Sequence, residues 1–123
     1  MTPTQEIQEM PEATMDADRA AAFGGRMMGA LNDASLVLMT SIGHQTGLFD
    51  TMATSGAVSS EKLANLAGLN ERYVREWLGA MTTGRVVEYD PGAKTYVLPP
   101  EHAASLTRAA GPGTWRYSPR RFR

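Results

Sequence analysis

AGLNERYVREWLGAM, residues 67–81, contains a stop and a restart. Gly68 and Leu69 form a tight break between two helical patterns. Asn70 then offers a side-chain oxygen to the free amides of the next helix, a cap worth about 1 kcal/mol. Beyond it Tyr73, Val74, Trp77, Leu78 and Met81 recur at three- and four-residue intervals as one broad apolar stripe. Tyr73, Trp77 and Leu78 are the expected core anchors, and Gly84 is the expected stop. The opposite side of this helix carries Arg72, Arg75, Glu76, Gly79 and Thr82. Arginines at the front of the second helix of a helix-turn-helix can read guanine edges or grip phosphates. Here Glu71 stands four residues before Arg75, and Arg72 four before Glu76, the spacing at which opposite charges pair on a helix surface. The pattern predicts a helix-turn-helix used as packing architecture, with nucleic acid not its partner.

Working outward, SSEKLANLAG (residues 59–68) reads as the first helix of the pair, with Ser59 or Ser60 as cap and Leu63, Leu66 and Ala67 turned inward. GLFDTMATSG (47–56) reads as a short helix ending near Gly56. Upstream, Phe23, Met27, Leu31, Leu38 and Ile42 recur at helical spacing after a cap at Asp16 or Asp18, predicting one long helix or two in line. Gly24, Gly25 and Gly29 each cost this helix about 1 kcal/mol relative to alanine, so tertiary contact has to supply its stability. Downstream, RVVEYDPGAKTYVLP (85–99) gives two β-prone runs, 85–89 and 95–98, around a loop holding Asp90, Pro91 and Gly92. Pro99 and Pro100 then open a last helix, proline being suited to a first turn. The fold class expected is mainly α with a small β-hairpin: a winged helix-turn-helix with an N-terminal helical dimerisation extension. Residues 1–15 are expected to form a disordered arm, 16–110 the winged-helix domain and 111–123 a basic tail.

Composition narrows the function. With 42% apolar and 20% charged residues the chain falls in the soluble globular class, and 123 residues suffice for one ordinary domain. No unbroken apolar run is longer than the four residues of Leu36 to Met39, far short of the roughly 20 residues a membrane span needs. No secretory signal is visible, so a cytoplasmic location is expected. The absence of cysteine excludes disulfides and thiolate metal sites, and two histidines 58 positions apart give no metal-ligand spacing. Residues 16–110 carry ten acids and eight bases, a slightly acidic domain with few cations to exchange for phosphate counterions.

The segments LVLMTSIGHQTGLFDTM, KLANLAGLNERYVREWLGAMTTGRVVEYD and TYVLPPEHAASLTRAAGP together resemble the N-terminal winged-helix domain of bacterial, actinobacterial-type S-adenosylmethionine-dependent class I methyltransferases. The resemblance covers roughly residues 20–112. It departs from the family at Gly84-Arg85-Val86-Val87, where Gly-Gly-Val-Val is expected. It implies a domain that forms a homodimer and covers the pocket of a small-molecule methyl acceptor, while a separate Rossmann-like domain binds S-adenosylmethionine and transfers the methyl group. No glycine-rich cofactor loop follows a strand here: Gly24-Gly25 lies within a helical pattern, and Gly111-Pro112-Gly113 follows none. The chain is therefore expected to be truncated before its catalytic domain and inactive alone, with no catalytic, cofactor-binding or metal residues. The closing GTWRYSPRRFR reads as a linker, a nucleic-acid-binding tail or a frameshift product, since a shifted frame of its codons can encode Asn-Leu-Ala-Val-Leu-Ala. Two other functions fit the same outline: a winged-helix DNA-binding transcriptional regulator, and a dimeric small-molecule sensor.

Single residues complete the expectations. Phe23, Met27, Leu31, Leu36 and Met39 form an apolar surface that a domain this small cannot cover unaided, so a partner subunit is expected there. Met27, Met28, Met39, Met52 and Met81 are read as core or dimer packing in preference to a ligand pocket. His44 is read as a helix-end polar residue, there being no carboxylate or nucleophile at a spacing that would make it a general base. His102 is read as a surface residue, and Trp115 belongs to the tail.

Overall fold

The computed structural model describes residues 14–108. The expected disordered arm, except for its last two residues, and the basic tail with Trp115 lie outside the described residues. The order is α1 (Ala17–Gln45), α2 (Leu48–Ser55), α3 (Ser60–Ala67), α4 (Glu71–Thr83), β1 (Glu88–Asp90), β2 (Thr95–Val97) and α5 (Pro100–Leu106). This is the mainly α architecture with one hairpin that the periodicities predict. The chain divides into two units, Met1–Asp33 and Ala34–Arg123, so helix α1 begins in one and ends in the other.

In the first unit the Asp16 carboxylate accepts from the amides of Asp18 (3.0 Å) and Arg19 (3.2 Å), capping α1. The helix continues unbroken through Gly24, Gly25 and Gly29. Every described residue of this unit is exposed.

The second unit has a core of Leu48, Phe49, Met52, Val58, Leu63, Ala64, Val74, Trp77, Leu78, Met81, Val87 and Leu98. Trp77 is its centre. The indole stands edge-on to Phe49 with ring centroids 5.2 Å apart, and its Nε1 donates to the Met39 carbonyl at 2.8 Å, satisfying the one polar atom the ring buries. Gly43 makes this contact possible: a β-carbon there would run into the Trp77 ring and lie 2.7 Å from Phe49.

Both helices of the helix-turn-helix end alike. After α3, Gly68 N–H donates to Asn65 O and Leu69 N–H to Ala64 O, with Gly68 at φ +68°. After α4, Arg85 N–H donates to Thr82 O and Val86 N–H to Met81 O, with Arg85 at φ +61°. These are paired Schellman closures. The left-handed residue that stops α4 is thus Arg85, whereas Gly84, the expected stop, keeps φ −78°.

That closure also shifts the hairpin. Val86 and Val87 spend their amides on Met81 O (2.9 and 3.2 Å), so β1 begins at Glu88 and not at 85. The register pairs Glu88 with Val97, Tyr89 with Tyr96 and Asp90 with Thr95. In the loop, the Asp90 carboxylate accepts from Gly92 N–H (2.9 Å) and Ala93 N–H (3.3 Å). Val58 adds a two-bond bridge to Tyr96 (3.0 and 2.7 Å), fastening the wing to the link between α2 and α3.

Candidate functional site

A winged helix-turn-helix offers the outer face of its second helix, here α4, as the first place to look for function. Asn70 fixes where α4 starts, its side chain accepting from Arg72 N–H at 3.0 Å. Val74, Trp77, Leu78 and Met81 are buried, and Arg72, Arg75, Glu76 and Gly79 are exposed. Arg72 Nε lies 3.4 Å from Glu76 Oε1, and Arg75 Nε 3.7 Å from Glu71 Oε1. The other oxygen of Glu71 accepts from Ser60 Oγ at 2.9 Å, tying the start of α4 to the start of α3. Both arginines of the helix thus have a carboxylate of the same helix beside them.

The wing does not change this balance. It presents Glu88 and Asp90 with Lys94, all exposed. Tyr89 and Tyr96 stack across it at 4.6 Å. Burial, first, and the neighbouring Tyr89, second, raise the pKa of the Tyr96 phenol above 10.0, with Glu71 adding to the rise and Arg75 opposing it.

The expected core anchors divide. Trp77 and Leu78 are 2% and 0% exposed, but Tyr73 is 70% exposed and anchors nothing. At about 100° per residue, Tyr73 lies roughly a quarter turn from the centre of the Val74–Trp77–Leu78–Met81 stripe, which fills the core without it. Leu66, expected to face inward, is likewise exposed, whereas Leu63 and Ala64 are buried. With Leu69 these residues leave apolar side chains exposed about the turn.

The expected apolar surface on α1 divides too. Phe23, Met27 and Leu31 are exposed, as is Met28. Leu36 and Met39 instead pack against the core. Three positions apart, they share one side of α1, and Val37, Leu38 and Ile42 occupy the exposed one. Leu36 contacts the spot a β-carbon on Gly84 would need. Of the other methionines, Met52 and Met81 are core residues.

His44, in the last turn of α1, is buried, and its carbonyl accepts from the Arg108 guanidinium at 3.0 Å. His102, expected at the surface, is half-buried with Nδ1 2.7 Å from Val86 O, which fastens α5 to the end of α4. A shallow open crease beside that bond is lined by Arg85, Val86, Glu101, His102, Ser105 and Leu106. Its two charged residues are both at exposed positions. Among the described residues no cluster of His, Asp or Glu could hold a metal ion, and no helix is long and apolar enough to cross a membrane.

Three helices, a wing and a closing helix around one core define a winged helix-turn-helix domain. Residues 34–108 match the family model described as the Rv2258c-like winged HTH domain. That is more than half of the chain, which belongs to this family. A comparison with curated proteins gives no match.

Proposed function

We propose that this domain is the dimerisation and substrate-covering part of an S-adenosylmethionine-dependent methyltransferase-like protein of the cytoplasm. Its partners in this reading are a second copy of the chain and a small-molecule methyl acceptor. Binding of S-adenosylmethionine and methyl transfer fall to a Rossmann-like domain distinct from the winged helix. The reading rests on the resemblance of residues 20–112 to the N-terminal domain of such enzymes. The observation that carries it is the division of labour between two helices. Helix α4, which would read DNA, holds Arg72 and Arg75 beside Glu76 and Glu71, whereas α1 exposes Phe23, Met27, Met28 and Leu31. An apolar row of that kind on a small domain marks a protein contact, and paired charges make a poor phosphate ligand.

The test has two arms. Titration of mixed-sequence duplex DNA at about 50 mM salt, low enough to favour phosphate contacts, is expected to show no binding. Reading the coding DNA beyond the codon for Pro112 in all three frames is expected to reveal a strand followed by a glycine-rich loop. Tight DNA binding that falls steeply with salt would overturn the reading in favour of a transcriptional regulator, and three frames without such a loop would remove its methyltransferase half.

A further inference from the structure

Resting on the proposal that the chain dimerises through α1, we infer that two copies pair antiparallel along residues 17–42 of that helix, with the two-fold axis passing between Gly29 and Ala30. The partner is a second copy of this chain, and charge placement on the helix selects both partner and direction.

Helix positions advance about 100° per residue, so steps of three, four or seven return to nearly the same side. Ala20, Phe23, Gly24, Met27, Ala30 and Leu31 accordingly share one side of α1, and all are exposed. Large and small residues alternate along it, which lets two such helices approach closely. The stretch 17–33 contains three glycines and no buried residue. A helix of this length and composition is marginal in water by itself, so its continuity calls for a surface that covers the stripe.

The charges identify that surface. Between residues 17 and 33 the charged side chains are Asp18, Arg19, Arg26 and Asp33. Arg26 and Asp33, seven positions apart, lie within about 20° of each other on one flank of the stripe. Neither forms an ion pair with another described residue. When two helices pair antiparallel about a two-fold axis, equal flanks face each other; when they pair parallel, opposite flanks do. Arg26 and Asp33 therefore meet their complements only in the antiparallel arrangement. The match requires the axis midway between them, and the symmetry then makes the ion pair twice. In this register Met28 of one copy stands opposite Leu31 of the other, and Asp18 and Arg19 meet no like charge.

The chain has no cysteine, so single engineered cysteines report the register without interference. Ala30→Cys, beside the axis, is expected to form a disulfide-linked dimer under mild oxidation. Ala20→Cys is expected not to, because its two copies stand nineteen residues apart along the axis, about 28 Å. Arg26→Asp is expected to weaken dimerisation about tenfold at low salt, and Arg26→Asp with Asp33→Arg to restore it. Sedimentation of the unmodified chain separates the two ideas. A monomer at every concentration would remove the dimer and its register together. A dimer that cross-links through Ala20→Cys, or through neither cysteine, or in which the charge exchange fails to rescue, would leave the dimer standing and overturn the antiparallel register.

Discussion

Arg85 sits at φ +61°, where a β-carbon crowds the following carbonyl and the conformation costs about 1–2 kcal/mol for any residue but glycine. It holds this conformation because the Schellman closure of α4 requires a left-handed residue there. The equivalent place after α3 is filled by Gly68, at φ +68°. Replacing Arg85 by glycine removes the strain and adds some freedom to the unfolded chain. The net expected is a gain of about 0.5–1 kcal/mol, seen as a higher urea midpoint; a lower midpoint would show that the Arg85 side chain stabilises more than its backbone costs. The opposite case is Gly43, whose missing side chain leaves room for Trp77 and Phe49. Gly43→Ala is expected to cost about 1–3 kcal/mol through overpacking, measurable as an early urea transition with reduced Trp fluorescence change. The sequence signals these two glycine-like positions unequally. Arg85 stands out as a departure from the Gly-Gly-Val-Val of the resembled family, but the tight contact of Gly43 depends on a tryptophan 34 positions away and leaves no local mark.

At the scale of elements, caps outweigh surface charge pairs. Asn70→Ala removes the acceptor for Arg72 N–H and is expected to cost about 1 kcal/mol, whereas Arg72→Ala, which breaks the exposed pair with Glu76, is expected to cost a few tenths, about 0.2–0.5 kcal/mol. Equal losses in paired denaturation curves would contradict this ordering. The hairpin gives a pH signature. Because the Tyr96 phenol has its pKa raised in the folded chain, chiefly by burial, the unfolded chain loses that proton first. The phenol's contribution to stability is therefore constant below the ordinary value of 10.0 and declines as pH rises from there through the raised value. Tyr96→Phe is expected to flatten that decline in pH-dependent thermal melts; an unchanged slope would place its cause elsewhere. Helix starts were legible because capping is a one-residue signal: Asn70 acts where the sequence puts it, and of the paired candidates Asp16 or Asp18 and Ser59 or Ser60 it is Asp16 and Ser59 that cap. Tyr73 and Leu66 were misread for a shared reason. Each lies at the margin of an apolar stripe, and which margin reaches the core depends on the neighbouring helix, information the local period does not contain. The strand start at 85 was misread because the amides of Val86 and Val87 are consumed by the end of α4 before a ladder can use them.

For the whole molecule, the described charges and apolar groups are sorted between surfaces. Residues 60–98 hold five acids and five bases, with the arginines of α4 beside its glutamates, and the long apolar row lies on α1. The proposed role follows from that sorting: association with a second copy through α1, and no grip on nucleic acid through α4. The most direct measurement is sedimentation velocity of the 123-residue chain and of its Leu31→Lys variant, each mixed with a labelled DNA duplex. The account predicts that the native chain sediments at twice its 13.3 kDa mass, that the variant sediments at the single mass, and that the duplex moves alone in both. A native chain at 13.3 kDa, or a duplex carried down with it, would contradict the account.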